Sequence, residues 1–365
     1  MGDRLQQTNS AASTKLIGLD FYKAIGAILV ILIHVTATPV VSLTPGLSLN
    51  VLIFINRFAK PAVPMFIFAS GMALFYSYRN KEFQYSTFLT RRFTKIFIPY
   101  VVWCAVYYGY YIYEGIYPVS LVFFIQQVLN GRMLYHLYFV VTILQFYFLF
   151  GLIRTIVMNY SGKIVLPLAI LINLLAYQWV PADWIHRCFL TYLVYFLPGC
   201  YFAKNFEQAI NFLKKYLWVI AIIFAFSGAY YSYLFYCSMW KPEAYLGYLE
   251  IYVYCLFCTM GILLYFIAAY YLEQMSGPVL KNIFGSVNIG SYYIYLSHPF
   301  AIIFADALAR RIGLTGVIDG MMLQLALIGM TAVPLSILYA KIKNRIVKKG
   351  IERKKPNKKE VKKSA

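Results

Sequence analysis

Acidic side chains are scarce in this sequence: 13 Asp and Glu stand against 33 Lys and Arg in 365 residues, and charged residues of both signs make up only 13%. A soluble domain carries about twice that share of charge, so a water-soluble globular fold is excluded. No G-x-x-x-x-G-K-[ST] or G-x-G-x-x-G run occurs, which removes the sequence signatures of a P-loop ATPase and a Rossmann cofactor site. Six cysteines are present, and only Cys255 and Cys258 form a C-x-x-C. No second pair or nearby histidine completes a zinc set. Three residues apart on a helix they share a face and read as small packing residues. Long loops and obvious internal repeats are missing too, so an enzymatic site has to lie inside the bundle or at its cytoplasmic mouth.

What is abundant is apolar surface. Hydrophobic residues reach 61%, mean hydropathy is +0.66, and 35 residues are tyrosine. About 20 apolar residues cross a bilayer as a helix, and ten stretches qualify: 17–37, 61–78, 96–113, 135–153, 164–180, 188–203, 216–236, 246–270, 284–304 and 317–340. Residues 51–60 extend the second helix, and 118–130 is too short to cross and reads as interfacial or re-entrant. The expected fold is an all-α polytopic membrane protein with about ten transmembrane helices. Its domains are an N-terminal tail at 1–16, one integral-membrane domain at 17–340 and a basic tail at 341–365. The first helix reads as an uncleaved span rather than a signal peptide, because many more spans follow it.

Lys and Arg set the orientation. With the N-terminus inside, the loops 79–95, 154–163, 204–215 and 271–283 carry 11 Lys and Arg, while the external loops carry 5. An even number of spans returns the tail to the same side, so both termini are expected in the cytoplasm. The tail holds 12 Lys and Arg against 2 Glu and suits anionic lipid headgroups. Membrane lipids are therefore expected partners, and nucleic acid is not.

Ionisable residues inside spans are costly and are functional candidates by default. In "DFYKAIGAILVILIHVT" (20–36), Lys23 and His34 are 11 residues apart, which is about 20° past three full turns, so they share a helix face roughly 16 Å apart along the axis. Asp20 lies within reach of Lys23. One reading has Lys23 snorkelling to the headgroups and His34 making an interhelical hydrogen bond. The other has a polar stripe leading to a buried imidazole that can take a proton near neutral pH. Spacing alone leaves both open. Arg92 and Lys95, three apart at the cytoplasmic lip of the third span, could hold a phosphate or pyrophosphate or could be an ordinary basic helix start. Ser70 and Gly71 form a small pair that would allow close helix packing. His136 lies near the external end of the fourth span. Ser297 and His298 precede Pro299, which frees a backbone carbonyl one turn back. His186 falls in an external loop with no assigned role. Tyrosine clusters such as 107–117 fit a headgroup belt or a sugar-binding mouth.

Taken in order, these pieces resemble the acyltransferase 3 family of integral-membrane acyltransferases across nearly the whole chain. "LDFYKAIGAILVILIH" resembles the family's L-D-x-L-R…H opening, "VPMFIFASGMAL" its V-P-x-F…S-G segment and "RRFTKIFIPY" its R-x-x-R followed by proline. "YHLYFVVTILQFY", "LVYFLPGCYFAKN" and "SYYIYLSHPF" resemble three later motifs. The similarity is greater to the Gram-positive branch that contains the membrane protein of the poly-N-acetylglucosamine biofilm system. Departures are Lys23 for the usual first-helix arginine, Lys95 for the second arginine of R-x-x-R, and Tyr138 for a tryptophan. Lysine keeps the charge but loses the bidentate fork.

The resemblance implies O-acyl transfer from a cytoplasmic acyl-CoA, acetyl-CoA or succinyl-CoA, to a cell-surface polysaccharide or lipid-linked glycan precursor. It implies no resident cofactor and no metal. His34 would be the catalytic base or nucleophile, Lys23 would contact the donor or stabilise the thioester oxyanion, and Arg92 and Lys95 would hold the CoA phosphates. Asp20, Ser70, His136 and His298 would support the site. No esterase-like domain is attached, so a separate extracytoplasmic transferase or glycan synthase is an expected partner. The same polar residues would also serve an exporter of a polysaccharide or lipid-linked glycan, although no internal repeat and no ATPase motif support one. A purely structural scaffold is the third class.

Overall fold

The computed structural model describes residues 16–353. Among them all regular structure is helical, with no strand. The longer helices are α1 Leu19–Val35, α2 Leu47–Ala59, α3 Ala62–Tyr78, α4 Tyr85–Arg92, α5 Ile98–Tyr113, α6 Leu121–Asn130, α7 Tyr138–Asn159, α8 Gly162–Trp179, α9 Leu193–Lys204, α10 Phe206–Lys215, α11 Leu217–Trp240, α12 Gly247–Met275, α13 Pro278–Arg311, α14 Val317–Leu327 and α15 Val333–Arg353. A π-turn at Phe93–Phe97 joins α4 to α5, and another at Ile328–Ala332 joins α14 to α15.

Eight stretches among the described residues are long and apolar enough to cross a membrane: Leu19–Ser42, Leu47–Tyr78, Tyr85–Tyr113, Tyr138–Asn159, Gly162–Trp179, Leu217–Trp240, Gly247–Met275 and Val317–Val347. The chain is an all-α polytopic membrane protein. Two of the ten expected spans differ. The stretch 188–203 folds into the 12-residue α9, led by a single turn at Phe189–Tyr192. At about 18 Å, α9 is shorter than the roughly 30 Å hydrocarbon core. The stretch 284–304, expected as a short span, sits inside the 34-residue α13. That helix is about 51 Å long, but Lys281, Asn282, Asn288 and His298 interrupt its apolar character. Segment 118–130 becomes the ten-residue α6, too short to cross as expected. The expected tail 1–16, save Leu16, and residues 354–365 of the basic tail lie outside the described residues, while 341–353 continue α15.

Lipid tails are as apolar as leucine, so the bundle is held by close packing rather than by expulsion of water. The tightest crossing is α3 on α9. A Cβ on Gly71 would stand 2.3 Å from the Phe196 carbonyl oxygen, and one on Gly199 would stand 2.2 Å from the Phe68 carbonyl oxygen. The two glycines thus let two backbones touch, as the Ser70-Gly71 pair suggested for Gly71. Helix α1 packs on α2, α3, α12 and α13 and touches α14, and this central place brings its polar residues against several neighbours.

Candidate active site

The C-terminal turn of α1 carries His34, and its backbone is pinned from α2. Asn56, 2% exposed, donates from Nδ2 to the Ile33 carbonyl at 3.0 Å and to the Thr36 hydroxyl at 2.8 Å. The last carbonyls of a helix lack internal partners, and here a buried amide supplies one. Pro39, which cannot continue the ladder, then opens a separate short turn at Pro39–Ser42.

A second element comes from the loop after α6. Gly131, at φ 62°, takes the left-handed conformation that closes the helix. The Arg132 N–H donates to the Gln127 carbonyl at 2.9 Å. A Cβ on Gly131 would meet the Tyr138 Cα at 2.9 Å, so glycine is needed both for the conformation and for the close return. This return places Tyr135 and His136 beside His34. The third element is α13. It continues through Pro299, and His298 Nδ1 pairs with the Ile294 carbonyl at 3.0 Å. Tyr295 donates from its hydroxyl to the His136 carbonyl, and Tyr107 of α5 donates to the Leu296 carbonyl at 2.7 Å.

Three imidazoles converge as a result. Ring centroids are 5.1 Å apart for His34 and His298, 5.6 Å for His136 and His298, and 6.4 Å for His34 and His136. Tyr135 lies 4.8 Å from the His34 ring. Among the described residues no group of three His, Cys, Asp or Glu side chains is disposed to hold a metal ion. His136 and His298 are buried, and neither ring nitrogen of His136, nor Nε2 of His298, has a hydrogen-bond partner among the described residues. His34 makes no side-chain hydrogen bond to another described residue, and it lines two cavities. The larger, about 500 Å3, also carries Lys60, His186, Glu250 and seven tyrosines, among them Tyr177, Tyr192 and Tyr254. The smaller, about 300 Å3, reaches Asp306 and Gln324, whose Nε2 donates to Asp306 Oδ1 at 2.7 Å.

Basic side chains gather toward the other end of α1. Lys81, Arg91, Arg92 and Lys95 line a pocket of about 250 Å3 with Ser77 and Tyr78. The loop above it is tied down by Arg154, which donates to the Tyr78 carbonyl at 3.0 Å and the Lys81 carbonyl at 3.1 Å. Arg92 lies within electrostatic range of Lys23, and the Arg92 guanidinium stands 5.7 Å from the Tyr147 ring centroid. Asp20 accepts from Asn288 Nδ2 at 2.9 Å. A cluster of four cations around one concavity matches a polyphosphate in charge.

A family profile described as "Acyltransferase domain" matches residues 16–341. The chain belongs to this acyltransferase family. It is 28% identical over 273 residues to the "Probable poly-beta-1,6-N-acetyl-D-glucosamine export protein" of Staphylococcus aureus strain Mu50, covering 70% of this chain and 72% of that protein. It is 25% identical over 253 residues to the protein of the same name from Staphylococcus epidermidis, covering 65% and 66%. No solved structure matches the chain. The resemblance to this family and branch, drawn from the ordered motifs, agrees with both findings.

Within this member of the family the structure joins His34, His136 and His298 at one end of α1, and Arg92 and Lys95 in one pocket toward the other, with Lys23 in electrostatic range of Arg92. Ser70 lines neither histidine cavity. His186, given no role from sequence, shares the larger cavity with His34. Lys60, Glu250 and Asn56 carried no motif, and only Lys60 had a signal at all, a cation beside Pro61 at a helix junction.

Proposed function

We propose that this protein is a membrane O-acyltransferase that moves an acetyl group from cytoplasmic acetyl-CoA to a hydroxyl of a cell-surface polysaccharide or glycan precursor. The observation that supports it most is His34: an imidazole with no hydrogen-bond partner among the described residues, at the wall of two cavities, inside a bundle of the acyltransferase family. Histidine is the side chain best suited to accept a proton near neutral pH. In this reading one acceptor hydroxyl gives its proton to His34. Its oxygen then forms a bond to the thioester carbonyl carbon, the C–S bond breaks, and the CoA thiolate takes the proton back from the imidazolium. A covalent acyl-His34 would split the same exchange into two steps. Arg92 and Lys95 hold the CoA phosphates, and Lys23 contacts the donor between them and His34. The four-cation pocket then faces the cytoplasm, which agrees with the Lys and Arg bias of the loops. The setting is the cell membrane of a Gram-positive bacterium.

The names of the relatives favour a second reading, export of a polysaccharide. The two part on one measurement: the acyl-ester content of the surface glycan, by NMR, in a deletion strain complemented with wild type or with His34→Ala at equal expression. Esters restored by wild type and not by His34→Ala are expected. Intact esters in the deletion strain, with glycan missing from the surface, would sink the transferase and favour the exporter.

A further inference from the structure

A cavity of about 610 Å3, larger than either beside His34, lies between α5, α13 and α15 and shares no lining residue with them. Both π-turns border it, through Thr94 and through Thr331, and such turns are frequent at functional sites. Its mouth faces the surrounding lipid: Ile98, Val102, Phe304 and Leu335 are 55–62% exposed. Two hydrogen bonds outside the groove hold its walls together, from Tyr292 to the Ile96 carbonyl at 2.6 Å and from Tyr107 to the Leu296 carbonyl at 2.7 Å. In its floor the Ser297 and Ser336 hydroxyls share a hydrogen bond at 3.1 Å. The charge sits at one end. Lys343 is the one charged residue that lines the groove. Its Nζ donates to the Tyr293 hydroxyl at 2.9 Å, which leaves two of its three protons for another acceptor. Lys95 is within electrostatic range, and the charges that act on it are Arg92, Lys343 and Arg91, all positive.

We propose that this groove binds one anionic phospholipid of the cytoplasmic leaflet, with the phosphate on Lys343 and an acyl chain laid along α13. From Tyr293 to Phe304 that helix rises roughly 16 Å, about the depth of one leaflet in a hydrocarbon core of roughly 30 Å. The cation therefore stands at headgroup level when the apolar wall stands at chain level. A zwitterionic headgroup carries its own cation beside the phosphate, which an end surrounded by lysine and arginine repels. An anionic headgroup brings only the charge that the end lacks. A glycan would lay its hydroxyls on an apolar wall and leave them unpaired. The basic tail attracts anionic lipid in general, whereas the groove gives one molecule a fixed place. Ser297 in the floor precedes His298, whose ring stands 5.1 Å from that of His34, so the lipid packs on the turn that carries part of the candidate site. Binding needs neither donor nor acceptor, and the inference stands apart from the acyl-transfer reading.

Trp103 lines the groove and reports on it. The test uses the full chain with Trp179, Trp184, Trp218 and Trp240, none of them buried, replaced by phenylalanine. It is reconstituted in mixed bilayers of phosphatidylcholine and phosphatidylglycerol, with bromine on the acyl chains of one or the other. Quenching of Trp103 fluorescence then gives the relative affinity. Phosphatidylglycerol is expected to be preferred about tenfold. Lys343→Gln should cut the preference about fivefold, the share of one cation near a lipid phosphate, and Lys343→Arg should keep it. Lys341→Gln removes the same charge from an exposed position outside the groove and should leave the preference at its starting value. Native mass spectrometry of the unaltered chain is a second measure: one retained phosphatidylglycerol is expected, and none on Lys343→Gln. Equal quenching by both lipids overturns the proposal. So does an equal loss from Lys343→Gln and Lys341→Gln, which would mean attraction to the basic tail alone. Displacement of the brominated phosphatidylglycerol by a trace of polyprenyl phosphate would also overturn it and give the groove to a lipid-linked glycan carrier.

Discussion

Replacing Gly199 with alanine probes the contact that holds the bundle most closely. The added Cβ would sit 2.2 Å from the Phe68 carbonyl oxygen, 3.0 Å from its carbon and 3.2 Å from the Met72 nitrogen. Ordinary contact begins at 3.4 Å, so the shortfall at the oxygen is about 1.2 Å. All three obstructing atoms are backbone and none can rotate away. Helix α3 must therefore retreat by about 1 Å, opening the edge-to-face contact of Phe68 on Phe202, whose centroids are 5.5 Å apart. Overpacking costs roughly 1–3 kcal/mol, and rigid backbone puts this site at the top, about 3 kcal/mol or a hundredfold in the unfolding constant. Reversible unfolding in mixed detergent–SDS micelles reads the change directly. Gly71→Ala should cost a similar amount, since its Cβ would meet the Phe196 carbonyl at 2.3 Å. The double variant should cost less than the sum, because one separation relieves both clashes. Ser70→Ala, one residue away, should stay within about 0.5 kcal/mol of wild type. A Gly199→Ala protein that unfolds at the wild-type midpoint would refute the close crossing of α3 and α9.

Other outcomes follow from the site. His34→Ala should lower the transfer rate by about 10²–10⁴-fold with CoA affinity retained, measured in vesicles with radiolabelled donor; unchanged turnover would remove His34 from the chemistry. Arg92→Gln with Lys95→Gln should raise the KM for acyl-CoA by about tenfold or more and leave kcat nearly intact; an equal loss in both would place these cations in the transition state instead. Asn56→Ala removes the side-chain donor to the Ile33 carbonyl and the bond accepted by the Thr36 hydroxyl, which keeps its own donation to the Leu32 carbonyl; it costs about 1–3 kcal/mol and should lower kcat more than it raises the acceptor KM. Gly131→Ala forces a left-handed φ and a 2.9 Å contact with Tyr138, so it should cost about 1–3 kcal/mol and displace the loop bearing His136. A stability equal to wild type would contradict that turn.

Much of this was visible along the chain. Long apolar runs and few charges announced a membrane bundle because lipid admits little else. The Lys23–His34 interval was readable because helical geometry is fixed at 1.5 Å per residue. Gly71 signalled a close crossing, since small residues are what such crossings need. Boundaries suffered where polarity and helix length part company. The polar residues of α13 masked its length, and α9 has an apolar sequence but ends before it could cross. His136 and His298 were noted singly, yet nothing in their spacing from His34 says that three rings meet.

The sequence by itself determined the solvent and the element type: an all-helical chain for lipid, with cations gathered in its loops and a rare imidazole on the first span. Those properties are local, set by composition, periodicity and rise per residue. Tertiary structure alone decided which side chains share a space. His34 meets His136 and His298 because α1 is central, because Gly131 folds a loop back and because α13 passes alongside. Lys60, His186 and Glu250 join its cavity from three distant segments. Such meetings depend on how helices pack, and in a bilayer packing is chosen by complementary shape, which is a property of pairs of helices.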